Sequence, residues 1–208
     1  MKNKHGYLLL LLAIVLLLDL CIIGFELGRI WRYATKTLLI PILITYYISS
    51  ADKPNKLFVA GLIMSFLGDV FLLTSGGFIA GLSSFLIAHI LYMITFRSFF
   101  KQKNLSSIPI ILIYVIGLVG FLFPYLGALK IPVILYAMTI GGMLYVALGT
   151  SNKWLIIGAF LFVLSDSILA VNIFHQSSTI GSLAVMLTYV IAQYFLVQGI
   201  IKSSFRME

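Results

Sequence analysis

The chain has 208 residues, 62% of them hydrophobic and 10% charged, with a net charge of +8 and a mean hydropathy of +1.13. A soluble domain carries about 25% charged residues, so this chain cannot cover a water-facing surface, and a soluble enzyme or a disordered chain is excluded. Cys21 is the only cysteine, which excludes an internal disulfide scaffold or a cysteine metal cluster.

The apolar core of a bilayer is about 30 Å thick and asks for roughly 20 apolar residues per helix. Eight segments meet that demand, and their long continuous runs exclude a transmembrane barrel. The first, 7–23, follows Lys2 and Lys4 like a signal peptide, but no Ala-x-Ala site or good lipobox stands near Cys21. It is therefore expected to remain as a helix, with Asp19 near its outer end. The second, 35–50, opens on Lys36 and contains Pro41, which should kink it. Beyond Asp52-Lys53-Pro54-Asn55-Lys56 comes the third, 57–73, carrying Asp69. Ser75-Gly76-Gly77 separates it from the fourth, 78–96, where His89 and Tyr92 share a face. Lys101-Gln102-Lys103-Asn104 precedes the fifth, 108–126, and the stretch from Gly127 to Pro132 leads into the sixth, 131–148, with Tyr136. Ser151-Asn152-Lys153 precedes the seventh, 154–172, with Asp166 and Asn172. After His175-Gln176-Ser177-Ser178 the eighth, 180–201, places Tyr189 and Gln193 one helical turn apart. Loops this short force neighbouring helices to pack antiparallel.

Basic residues set the orientation. Lys2, Lys4, Lys53, Lys56, Arg97, Lys101, Lys103, Lys153, Lys202 and Arg206 fall on one side, against Arg29, Arg32, Lys36 and Lys130 on the other. The richer side is expected to be cytoplasmic, with both chain ends. The excess of positive charge is read as loop anchorage, so no nucleic-acid partner is expected. The reading is an all-α polytopic membrane protein, one transmembrane domain over 1–208 with eight helices. Its short loops favour a bacterial cell membrane over the endoplasmic reticulum.

Compared with itself, the chain shows one match: Lys56-Leu57-x-x-x-Gly61-x5-Leu67-Gly68-Asp69 aligns with Lys153-Trp154-x-x-x-Gly158-x5-Leu164-Ser165-Asp166. The match maps the third helix onto the seventh, so the halves, about 1–105 and 106–208, would form a parallel 4+4 repeat. Each aspartate follows its lysine by 13 residues, which at a rise of about 1.5 Å per residue puts both at one depth, well inside the bilayer.

A carboxylate inside the hydrocarbon is expensive and marks function by default. Asp69 closes a stripe with Gly61 and Ser65, and Asp166 one with Gly158 and Phe162, both expected to face the bundle interior. Lys36 is placed at similar height, as a counter-ion or a phosphate contact. His89, Tyr92, Tyr136, Tyr189 and Gln193 complete the intramembrane polar set. The chain has no His-Glu-x-x-His, Gly-x-Ser-x-Gly or Walker loop, so zincin, α/β-hydrolase and ATP-driven chemistry have no support. His5, His89 and His175 fall at different depths and form no zinc site. What remains is a pair of buried carboxylates in an aromatic cavity that water can reach, able to hold one proton between them as acid and base. Such a pair suits hydrolysis of an acid-labile ether or acetal through an oxocarbenium ion. It suits a proton-coupled transporter or flippase of lysolipids or other small amphiphiles equally well.

Lys36 with Pro41, Ser65-Phe66-Leu67-Gly68-Asp69, Gly81 through Ala88-His89-x-x-Tyr92, Tyr136-Ala137, Gly158 through Leu164-Ser165-Asp166, and Tyr189-x-x-x-Gln193 occur in that order from about 32 to 201. Together they resemble the YhhN-like membrane family that includes the lysoplasmalogenases. The resemblance implies an eight-helix hydrolase that cleaves the vinyl ether of lysoplasmalogens to a fatty aldehyde and glycerophosphocholine or glycerophosphoethanolamine. It implies no metal or organic cofactor, a lysophospholipid and membrane lipid as the partners, and Asp69 and Asp166 as the acidic residues. On this reading Lys36, His89, Tyr92, Tyr136, Tyr189 and Gln193 hold the headgroup and tune the pair. No protein partner is expected.

Overall fold

The computed structural model describes residues 5–204, apart from the side chains of Arg29 and Ser204. Lys2, Lys4 and Arg206, which entered the count of basic residues, lie outside the described residues, as does the side chain of Arg29.

Eight helices run in order: α1 (Gly6–Gly24), α2 (Arg29–Ser50), α3 (Lys56–Leu73), α4 (Phe78–Arg97), α5 (Ser107–Leu122), α6 (Lys130–Gly149), α7 (Lys153–Phe174) and α8 (Thr179–Ser204). Asparagines start the two aspartate-bearing helices. Asn55 accepts a hydrogen bond from the Phe58 amide at 3.1 Å, and Asn152 accepts one from the Trp154 amide at 2.9 Å. Each satisfies a backbone donor that the first helical turn leaves free. The two caps stand directly before the matched lysines, so the likeness of the two segments begins one residue earlier than the lysines.

Two boundaries differ most from the sequence expectation. The fifth helix ends at Leu122 rather than 126, and the chain tightens into two 3-10 turns, Phe123–Tyr125 and Gly127–Leu129. Pro124 removes an amide from the α-helical ladder, and Gly127 adopts φ +50, where a residue without a Cβ turns the chain at little cost. Pro132, expected in the connection, lies in the first turn of α6, where its missing amide has no intrahelical partner to lose. The second helix starts at Arg29 rather than 35. Its added turn is tied down by the Tyr33 hydroxyl, which donates to the Leu73 carbonyl at 2.7 Å.

Seven helices are long and apolar enough to cross a bilayer, and α2 is not among them. The protein is an integral, multi-pass membrane protein. α2 carries a lysine on its inner face: Lys36 is 8% exposed, and Leu39, Ile40 and Leu43 of the same helix are fully buried. Pro41 is accommodated inside this helix.

The hairpins α3–α4 and α7–α8 make the most extensive packing, followed by α1–α2. Some pairings recur four helices on, α2–α3 as α6–α7 and α4–α6 as α8–α2, whereas α1–α8 has no α4–α5 counterpart of similar extent. Two matched glycines permit the tight hairpins. A Cβ on Gly61 would come within 2.5 Å of the Tyr92 ring, and one on Gly158 within 2.9 Å of the Leu196 backbone nitrogen. Small residues at such crossings let helix backbones approach closely. α5 stands apart, resting on α6 and lightly on α7, with Ile110, Ile113 and Ile116 facing outward.

Candidate active site

Asp69 and Asp166 both point into the bundle, as the sequence stripes require, but into different surroundings. Asp69, on α3, has a side chain only 3% exposed and meets Lys36 of α2 at 3.2 Å through Oδ1. Its Oδ2 accepts a hydrogen bond from the Tyr189 hydroxyl of α8 at 2.8 Å. The chain of polar groups continues inward. Gln193 Nε2 lies 3.5 Å from the Tyr189 oxygen, the Tyr92 hydroxyl donates to Gln193 Oε1 at 3.0 Å, and Ser65 lies 3.1 Å from that hydroxyl. Four helices thus meet on one carboxylate. Within a low dielectric, a pair of charges survives only with this degree of hydrogen-bonded compensation.

Asp166, on α7, is held differently. The Tyr136 hydroxyl of α6 donates to its Oδ2 at 2.5 Å, and His89 Nε2 of α4 stands 3.8 Å from the same oxygen. Among the described residues no lysine or arginine pairs with it. Its side chain is 13% exposed, and that exposure opens into a cavity of about 620 Å³ between α5, α6 and α7. The cavity is lined almost wholly by aliphatic side chains, with Asp166, Tyr136, Tyr114 and Ser167 as the polar group in its middle. It runs from Asn104 and Ser107, where α5 begins, to Leu122, where α5 ends. At about 1.5 Å per residue, the 16 residues of α5 span roughly 24 Å, most of the hydrocarbon thickness of a bilayer. The Tyr114 hydroxyl donates to Ser167 at 2.8 Å, which is the one polar tie from α5 to α7 among the described residues. A smaller chamber of about 50 Å³ touches Asp166 and Tyr136 from the side of α3 and α4, against Phe85 and Leu72.

The two carboxylates are not hydrogen-bonded to each other, so the expectation of one proton held directly between them finds no contact to carry it. Aromatic rings stand between the two networks. Phe162 touches His89 at 4.7 Å and Tyr189 at 5.4 Å between ring centroids, and Phe85 touches Tyr189 at 5.9 Å.

Of the other candidates, Lys36, Tyr92, Tyr189 and Gln193 belong to the Asp69 network and line neither cavity. Tyr136 belongs to Asp166 and lines both. His89 is fully buried beside it. Among the described residues no group of three histidine, cysteine, aspartate or glutamate side chains could hold a metal ion.

The structure buries a third acid. Asp19 of α1 is fully buried and accepts a hydrogen bond from Thr35 of α2 at 2.6 Å, with Arg32 Nε 3.7 Å away. Arg32, Thr35 and Lys36 lie within little more than one turn of α2, so this helix supplies the cations for both Asp19 and Asp69. The signal was available: an acid alone in the apolar first segment needs a partner, and α2 carries the nearest basic residues.

The YhhN family matches residues 31–200. Among curated proteins, the chain is 30% identical over 168 residues to "Lysoplasmalogenase TMEM86B" of Homo sapiens, covering 76% of this chain and 69% of the relative. It is 33% identical over 135 residues to the Sus scrofa protein of the same name, covering 64% and 58%. A further match is "Lysoplasmalogenase TMEM86A" of Bos taurus, 30% identical over 172 residues and covering 76% and 70%. No solved structure matches.

Proposed function

The chain belongs to the YhhN family, and on that premise we propose that it hydrolyses the vinyl ether of lysoplasmalogens within the bilayer. The products are a fatty aldehyde and glycerophosphocholine or glycerophosphoethanolamine. The names of its relatives support the substrate class. The observation that carries the reading is a carboxyl group without a cation, set with a tyrosine in the wall of an apolar cavity of about 620 Å³.

A vinyl ether is cleaved by protonating its β-carbon. The resulting oxocarbenium ion takes up water, and the hemiacetal collapses to aldehyde and alcohol. Aliphatic walls receive the alkenyl chain and bring the reacting carbons to Asp166, while water stays limited to the polar patch. Asp166 is assigned as the acid: it borders the cavity, and it can gain or lose a proton without breaking an ion pair. Tyr136 orients its carboxyl group and stabilises it once the proton has left. Asp69 has both oxygens engaged and lines neither cavity, so it takes the supporting role of a charge-balanced anchor that ties α2, α3 and α8 together beside the site. Lys36, Tyr92, Tyr189 and Gln193 hold that charge in place rather than the headgroup.

Purified protein in lipid vesicles, given a 1-alkenyl lysophospholipid, is expected to release aldehyde and the headgroup product in equal amounts by mass spectrometry. The saturated 1-alkyl analogue should remain intact. Recovery of unaltered alkenyl lipid, with or without its movement across the bilayer, would remove the hydrolase reading and favour transport.

A further inference from the structure

We propose that His89 is a catalytic residue that binds the attacking water beside Asp166 and accepts its proton. The assignment rests on the vinyl-ether hydrolase reading and goes beyond it, because neither aspartate there is given the water.

His89 is 0% exposed, yet neither ring nitrogen makes a hydrogen bond to any described residue. A neutral imidazole presents one donor and one acceptor. Native proteins rarely bury such groups unpaired, and the exceptions call for an explanation. Lack of constraint is not that explanation. The ring stands edge-to-face against Phe162 at 4.7 Å and against Tyr136 at 5.3 Å, so its plane is set by packing. That packing aims Nε2 at the Asp166 carboxyl group, 3.8 Å away, too long for a direct hydrogen bond.

Room for water adjoins this pair. The chamber of about 50 Å³ is bordered by Asp166, Tyr136 and Phe85, and Phe85 precedes His89 by one turn on α4. One water occupies about 30 Å³ in the liquid and needs two to four polar partners; Asp166 and Tyr136 supply two from the chamber's otherwise apolar wall, and His89 Nε2 stands behind them, 3.8 Å from the same Asp166 oxygen. Asp69 offers no rival site, since Lys36 and Tyr189 engage its two oxygens.

The reaction then balances without another reagent. Asp166 transfers its proton to the β-carbon, leaving a carboxylate and an oxocarbenium ion. Water forms a bond to the cationic carbon and gives one proton to His89 Nε2, which produces the hemiacetal and an imidazolium beside the Asp166 carboxylate. The carbon–oxygen bond to glycerol breaks as the imidazolium protonates the departing oxygen. The hemiacetal hydroxyl returns its proton to Asp166, freeing the aldehyde and restoring both residues.

His89→Phe keeps a ring against Phe162 and Tyr136 but removes both nitrogens, and His89→Gln keeps a polar group should the phenyl ring pack poorly. In samples with wild-type thermal stability, kcat is expected to fall at least about 100-fold, with KM held within about threefold. In deuterated water, unreacted substrate recovered from these variants should gain deuterium at the β-carbon, because protonation by Asp166 continues and reverts when no water is delivered. A variant within about threefold of the wild-type kcat overturns the assignment. So does a loss of turnover without β-carbon exchange, which would put the defect before water attack. Absence of aldehyde from the wild-type protein would instead remove the hydrolase reading itself.

Discussion

Asp69 and Asp166 occupy matching positions on two similarly capped helices, yet one is enclosed and charge-balanced while the other borders a cavity with no lysine or arginine beside it among the described residues. The Asp69 carboxyl group gathers Lys36, Tyr189 and, through Tyr189, Gln193 and Tyr92. Asp166 has one hydroxyl donor and an unbonded histidine nearby. The contrast follows from their neighbours. α3 packs against α2, whose polar face carries Lys36, whereas α7 faces α6 and the loosely seated α5, which contribute tyrosines and aliphatic side chains. An ion pair needs its oxygens occupied, and a reacting acid needs one exposed. The same residue type at matching sequence positions is thus divided between an ion pair and a cavity wall, and on the proposed mechanism between holding a charge and moving a proton.

The contrast is broken most directly by exchanging the aspartates for isosteric amides. Asp166→Asn should lower kcat by about 10² to 10⁴, the range of a lost general acid, with little change in melting temperature. Asp69→Asn should lower kcat less and stability more, since it strips the partner from a buried lysine. Equal kinetic effects with equal stability would erase the distinction.

Lys36→Met tests the enclosed side. Breaking a buried pair from one end costs about 3–5 kcal/mol, and replacing both ends by apolar groups of similar volume is near neutral. The double variant Lys36→Met with Asp69→Leu should therefore regain most of the lost stability in chemical denaturation, while losing any electrostatic help to turnover. A double variant no more stable than Lys36→Met would show that the pair is not the unit.

The glycines sharpen the packing side. Gly158→Ala meets backbone of α8 and should cost about 1–3 kcal/mol of stability, as overpacking does. Gly61→Ala meets the Tyr92 ring and should cost less in packing while loosening the bond from Tyr92 to Gln193. The smallest effect is expected from Leu144→Trp in the cavity wall. It should raise KM for long-chain substrates by up to about tenfold, with kcat for short-chain ones unchanged.

Much of the bundle is legible in the sequence, because a helix that crosses lipid must satisfy its own backbone and present about 20 apolar residues. The spans at 57–73 and 78–96 differ from α3 and α4 by a single residue. The fifth helix was overrun because Phe123 to Leu126 remain apolar while the backbone has already tightened around Pro124. The inward stripes of Asp69 and Asp166 follow from spacing alone. What spacing could not give is which polar residue meets which. In the sequence Lys36 fits a counter-ion and a phosphate contact on equal terms, and nothing in their spacing separates Tyr136 from Tyr189 and Gln193.

From the chain alone came the membrane class, the helix count, and two acids carried inward on helices that start alike, because local periodicity and the cost of burying charge act within one segment. Helix packing divided their surroundings. Whether an acid meets Lys36 or an aliphatic cavity depends on contacts between different helices, and those are fixed only when ridges and small residues of neighbouring helices settle against one another.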